Sequence, residues 1–181
     1  MKRHALFAAC SAGLLLQLTC CAAAQEKGTL IPQLEPLRPF LAKTWRGEMK
    51  GSTPDKPVVD VSRWERALNG QAIRVLHSVN DGAYGGETMI YWDKEKQQIT
   101  YRYFTTAGFQ THGTFTFSDG KISSIEKVTG DANGVTEVRA TSEVRPDGSL
   151  FVRAEYFKEG KWTPGRETTY KEDSKAEVKF K

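Results

Sequence analysis

Cysteine is nearly missing from this chain: there are three in 181 residues, and Cys10, Cys20 and Cys21 all fall within the first two dozen positions. Everything downstream therefore has no disulfide framework and no thiol for nucleophilic or metal chemistry. Histidine is also scarce, with only His77 and His112 beyond His4. After the opening segment no apolar run approaches the ~20 residues that a membrane-spanning helix needs. The alternating segments carry charge on their second face, which excludes the continuous lipid-facing band of an outer-membrane barrel. Basic clusters are absent as well. The formal charge is +4, and half of it lies in Lys2 and Arg3. Elsewhere acids and bases alternate, as in Glu137, Arg139, Glu143 and Arg145, which describes a solvated sheet face and excludes a nucleic-acid footprint. There is no Gly-x-Ser-x-Gly elbow, no phosphate-cradling glycine loop and no His-Glu-x-x-His helix.

The first 24 residues read as a cleaved export signal. Lys2 and Arg3 form a charged start, Ala5 to Leu18 an apolar stretch too short to span a bilayer, and Ala22-Ala23-Ala24 a small-residue cleavage site. A competing reading comes from Leu18-Thr19-Cys20-Cys21, which loosely resembles a lipobox and would make Cys20 or Cys21 a lipid anchor. Both readings send the chain beyond the inner membrane of a bacterial source, as a periplasmic or secreted protein or as a membrane-anchored lipoprotein. Residues 25–33 then form a tether, 34–171 a single domain and 172–181 a C-terminal tail.

What the chain does have is turns. Asn69-Gly70, Asp81-Gly82, Asp119-Gly120, Asn133-Gly134 and Asp147-Gly148 are each flanked by period-two hydrophobicity, a strong hairpin signal. They predict ten strands, near 44–50, 58–67, 71–79, 86–92, 98–105, 108–117, 121–129, 135–144, 150–157 and 161–170. Short loops between consecutive strands force an up-and-down antiparallel order, and closure removes the exposed edges. The fold class is therefore all-β, a ten-stranded antiparallel up-and-down barrel. Leu34, Leu37, Phe40 and Leu41 share one face of a brief helical segment limited by Pro36 and Pro39, suited to capping one barrel end. Alternation turns Ile99, Tyr101 and Tyr103 inward, with Phe109, Phe115 and Phe117, and with the sets Val138 to Val144 and Leu150 to Tyr156. Several inward residues are small (Gly113, Ala140, Ser142, Ala154), which favours a cavity for a small molecule over a core filled by its own aromatic rings.

The stretch Leu34 to Glu48 resembles the opening of calycin-type barrels. Thr44, Trp45 and Gly47 match the Gly-x-Trp element of lipocalins and the Gly-Thr-Trp-x-Gly of nitrobindin-like haem-binding barrels, with Lys43 in place of the leading glycine. Lys161-Trp162-Thr163-Pro164 and the strand that follows are similar to the closing strand of lipocalin-like domains in bacterial exported proteins. The resemblance implies that Trp45 plugs the barrel floor beneath an arginine from a late strand, for which Arg166 is the candidate, through cation–π attraction. Nitrobindin-like barrels hold haem through a histidine in the C-terminal part of the barrel. This chain has none after His112, so no cofactor is expected.

Among the residues themselves, His77 shares a side with Ile73, Val75 and Val79 and is the one inward histidine, a candidate ligand contact or base. Arg63 with Tyr101 and Tyr103 would suit a carboxylate, but strand 58–67 leaves open whether Trp64 or Val59 and Val61 face in, and with Trp64 inside Arg63 is a surface charge. Gly82, Gly85 and Gly86 read as a loop at a barrel mouth. Phe115 and Tyr156 complete the expected wall. Three function classes follow. The first is a binding barrel for a small apolar or amphiphilic molecule. The second is a lipocalin-like enzyme using His77 as base. The third is an envelope structural protein with a filled core and an outer apolar patch around Phe104, Phe151 and Phe157.

Overall fold

The computed structural model describes residues 28–181, so the expected export signal and the candidate anchor cysteines Cys20 and Cys21 lie outside the described residues. Ten strands form one closed sheet: β1 (Lys43–Met49), β2 (Val59–Ala67), β3 (Ala72–Val79), β4 (Tyr84–Asp93), β5 (Gln98–Thr105), β6 (Gln110–Ser118), β7 (Lys121–Thr129), β8 (Val135–Val144), β9 (Leu150–Lys158) and β10 (Lys161–Glu172). Each pairs antiparallel with its successor, and β1 closes the cylinder against β10. This is the expected up-and-down barrel. No helix among the described residues is long and apolar enough to cross a membrane.

The turns explain the order. At Asn69-Gly70, Asp81-Gly82, Asp119-Gly120 and Asn133-Gly134 both residues have positive φ, the backbone handedness that matches the twist of the flanking strands. Asp147-Gly148 solves the same problem differently. Only the glycine is left-handed, and the Asp147 carboxylate accepts from the Ser149 amide at 2.9 Å.

Before β1 the chain forms a 3-10 helix over Pro32–Phe40. Pro36 and Pro39 remove amide donors that a longer α-helix would require. A three-residue repeat stacks Leu34, Leu37 and Phe40 on one side, and all three are buried against the barrel end while the residues between them are exposed or half-buried. The described part of the expected tether is docked: Leu30 joins the core, Ile31 donates to the Gly70 carbonyl at 3.1 Å, and Arg66 donates to the Thr29 carbonyl at 2.8 Å. Trp45 is fully buried beside this cap, and its indole N–H donates to the Phe40 carbonyl at 3.2 Å.

Two irregularities alter which side chains face in. Between Pro164 and Glu167, β10 carries one more residue than β9, and between Val135 and Glu137 β8 does the same. Such a bulge reverses the inside–outside phase of the residues beyond it. After β10 the chain leaves the capped end, where Asp173 donates to the Thr44 carbonyl, and crosses the outside to the far end of β3. There the Lys179 amide donates to the buried Ser78 hydroxyl at 3.0 Å and Lys179 Nζ pairs with Asp81 at 3.0 Å.

Candidate functional site

The barrel is not filled. A cavity of about 660 Å³ runs from Phe40 at the helix-capped end to Ala132 and Asn133 in the β7–β8 turn at the other. It exists because the wall is undersized along β8 and β9, where Ala140 pairs with Ala154 and Ser142 with Val152. Tyr101, Tyr103, Phe115 and Tyr156 all line it, as does His77. Phe115 stacks on Tyr101 at 4.5 Å between ring centroids. Two inward glycines make the aromatic wall feasible: a Cβ on Gly86 would lie 2.4 Å from the Tyr103 ring, and one on Gly113 2.7 Å from Tyr101.

One polar cluster of the cavity is built around Asp60, which sequence reasoning did not single out. On β2 the inward residues are Asp60, Ser62 and Trp64, while Val59, Val61 and Arg63 face out, the reverse of the usual apolar-in pattern. The Asp60 side chain is only 2% exposed. Tyr170 donates its hydroxyl to Asp60 Oδ2 at 2.6 Å, His77 Nδ1 lies 3.0 Å from Oδ1, and Arg166 Nη1 stands 3.6 Å from Oδ2. Burial alone would raise the carboxyl pKa. The hydrogen bond with His77, the Arg166 guanidinium and the Tyr170 hydroxyl outweigh it and hold Asp60 below the ordinary carboxylate value.

The chain of contacts continues into the cavity. His77 Nε2 is 2.7 Å from the Tyr103 hydroxyl, and that hydroxyl is 2.7 Å from the Tyr84 hydroxyl. Burial pushes both phenols above their usual pKa. Tyr84 opens β4, two residues before the strand expected from the sequence, so Gly85 and Gly86 belong to the strand and not to a mouth loop. With both ring nitrogens engaged by Asp60 and Tyr103, the His77 imidazole does not fit a ligand of haem iron.

Three expectations need correction. Arg63 is not a wall residue: it faces outward and donates to Glu65 at 2.7 Å, within a surface network that includes Arg74. Arg166 is not the cation over Trp45. That position belongs to Lys43, 5.1 Å from the ring centroid, whereas the β10 bulge turns Arg166 into the cavity toward Asp60. Phe104, Phe151 and Phe157 form no single patch. Phe104 lies on β5, four strands from β9, where Phe151 sits under Arg145 and Phe157 packs on Trp162. His112 faces out and is exposed.

Glu126 is the second carboxyl of the cavity, on β7, where it accepts from the Thr111 hydroxyl and lies beside Tyr101. Burial raises its pKa, and the Thr111 and Tyr101 hydrogen bonds and the Arg166 charge only partly offset this. A carboxyl whose folded-state pKa is raised favours the fold fully below its unfolded value, and that contribution is lost as pH rises through the folded value. Glu126→Gln is therefore expected to stabilise the protein at pH 8, by about 1 kcal/mol for a change at one buried polar group, and to be nearly neutral at pH 4. Thermal unfolding at the two pH values checks this, and a variant equally destabilised at both contradicts it.

No known protein family matches the chain, and no curated protein does.

Proposed function

We propose that this protein binds a small amphiphilic molecule inside its barrel, the apolar part against the aromatic and aliphatic wall and the polar part at the Asp60–His77–Arg166 cluster. The observation that carries the reading is a cavity of ligand size with an aromatic and aliphatic wall and a hydrogen-bonded polar cluster set into it. The calycin resemblance at Thr44, Trp45 and Gly47 points the same way. We place the activity outside the cytoplasm, on the strength of Lys2, Arg3, the Ala5 to Leu18 stretch and Ala22-Ala23-Ala24. Intact mass distinguishes a chain that starts at Gln25 from one acylated at Cys20 or Cys21.

Nile red, an uncharged dye that brightens in apolar surroundings, tests the reading. Saturable binding at one dye per chain is expected, and Ala140→Trp, which thrusts an indole into the cavity, is expected to weaken it at least 100-fold while the circular dichroism of the barrel persists. Absence of saturable binding, or an Ala140→Trp protein that binds normally, removes the proposal.

A second reading, a proton-transfer enzyme with His77 as base, draws on the Asp60–His77 contact. In that case the base reaches the cavity through the Tyr103 hydroxyl, which stands against its Nε2. Native mass spectrometry separates the two: a binding protein releases its ligand unchanged, and an enzyme converts it.

A further inference from the structure

We infer that the polar end of the cavity selects an uncharged, hydroxyl-bearing amphiphile and discriminates against a carboxylate of the same length. This deepens the binding reading and rests on it.

The first argument is charge. Among the described residues Arg166 is the only lysine or arginine lining the cavity, and it already faces the Asp60 carboxylate at 3.6 Å. The remaining acidic residue of the wall is Glu126. An incoming carboxylate would meet no uncompensated guanidinium or ammonium group and at least one carboxyl. It would surrender its hydration without a partner charge, which is costly in a water-poor interior. Arg63, which could have supplied a second cation, points outward.

The second argument follows protons along the hydrogen-bond chain. In a neutral imidazole one ring nitrogen donates and the other accepts. Asp60, ionised and able only to accept, takes the N–H of Nδ1, so Nε2 is left as an acceptor and the Tyr103 hydroxyl must donate to it. That uses the one proton Tyr103 has. Its oxygen can then only accept, and the proton between the two phenols belongs to Tyr84. Tyr84 presents lone pairs and no donor to whatever enters the cavity. Arg166 lines the same cavity, 3.6 Å from Asp60, and supplies guanidinium N–H donors to it. An alcohol satisfies both, donating to Tyr84 and accepting from Arg166. A carboxylate has no proton to give Tyr84.

Displacement of Nile red at pH 8 by 1-decanol and by decanoate tests the inference. Any apolar cavity favours the alcohol to some degree, so two variants carry the decision. Tyr84→Phe removes the acceptor and is expected to lower decanol affinity tenfold relative to that of the dye. Asp60→Asn leaves Arg166 uncompensated and is expected to raise decanoate affinity at least tenfold relative to decanol. The inference falls if decanoate matches decanol in the natural protein, or if Tyr84→Phe leaves the decanol-to-dye ratio unchanged. It also falls if folded Asp60→Asn protein shows no gain for decanoate. Dye binding with displacement by neither compound overturns the hydroxyl assignment and leaves the cavity reading intact, whereas loss of dye binding itself overturns the reading beneath it.

Discussion

Asparagine in place of Asp60 is expected to cost about 3 kcal/mol of unfolding free energy, measured by urea denaturation at pH 7. The carboxylate is shielded from solvent and takes hydrogen bonds from Tyr170 and His77 while neutralising Arg166. An amide of the same shape keeps the packing but leaves the guanidinium without its counter-ion and offers N–H donors where acceptors are needed. The figure lies at the low end for broken buried pairs because the Arg166 side chain keeps about a third of its exposure, on the cavity side, where water can solvate it. Acid should erase the difference. Asp60 has a folded-state pKa below the ordinary 3.8, so its contribution is present above that value and is lost as pH falls through the folded one. The difference between natural protein and variant should begin to shrink only below about pH 4 and close as pH falls through the lower folded value. Adding Arg166→Gln should recover part of the loss, since the charge left unpaired goes with it. A loss under 0.5 kcal/mol at pH 7 would show that the cluster contributes little to the fold.

Trp45→Ala is expected to cost about 4 kcal/mol, as large buried aromatics do. In a domain of this size that lowers the unfolding midpoint by on the order of 10 °C. The indole is wholly enclosed, and its N–H holds the Phe40 carbonyl at the end of the 3-10 helix. Truncation opens a void beneath Leu34, Leu37 and Phe40 and frees the cap that closes the cavity floor. Trp45→Phe separates the two effects, because it retains most of the packing while leaving the carbonyl unpaired, at about 1 kcal/mol. If Trp45→Ala melts within 3 °C of the natural protein, the tryptophan does not hold the cap.

Strand number, order and boundaries were legible because Asx-Gly turns and period-two alternation act locally and agree with each other. The inward placement of His77, Tyr101, Tyr103, Phe115 and Tyr156 was legible for the same reason. The polar cluster was not. On β2 two valines sit outside and an aspartate inside, so hydrophobicity suggests the wrong phase. Only the clash between Trp64 and the valines signals the conflict. On β10 simple alternation from Trp162 through Pro164 keeps Arg166 on one face. Pro164-Gly165 in mid-strand is the residue-level sign of the bulge that turns it over. Glu126 is one carboxylate among many in sequence, and only its position opposite Gly113 shows that it points inward. The helical cap was foreseen in place and face. Its 3-10 pitch follows from two prolines three residues apart.

The two described ends of the chain lie at opposite rims of the cylinder, because the tail after β10 crosses to the far end. Gly28 to Ile31 dock against the β2–β3 turn beside the plugged floor, while Lys179 is tied to Asp81 at the uncapped rim. A restraint applied upstream of Gly28, whether a surface or a fused partner, thus aims the uncapped rim outward, roughly 25 Å away across the length of the strands. A fusion after Lys181 would instead crowd that rim. On the proposed binding reading, immobilisation through the beginning of the chain leaves uptake of Nile red unhindered, and immobilisation through its end slows it.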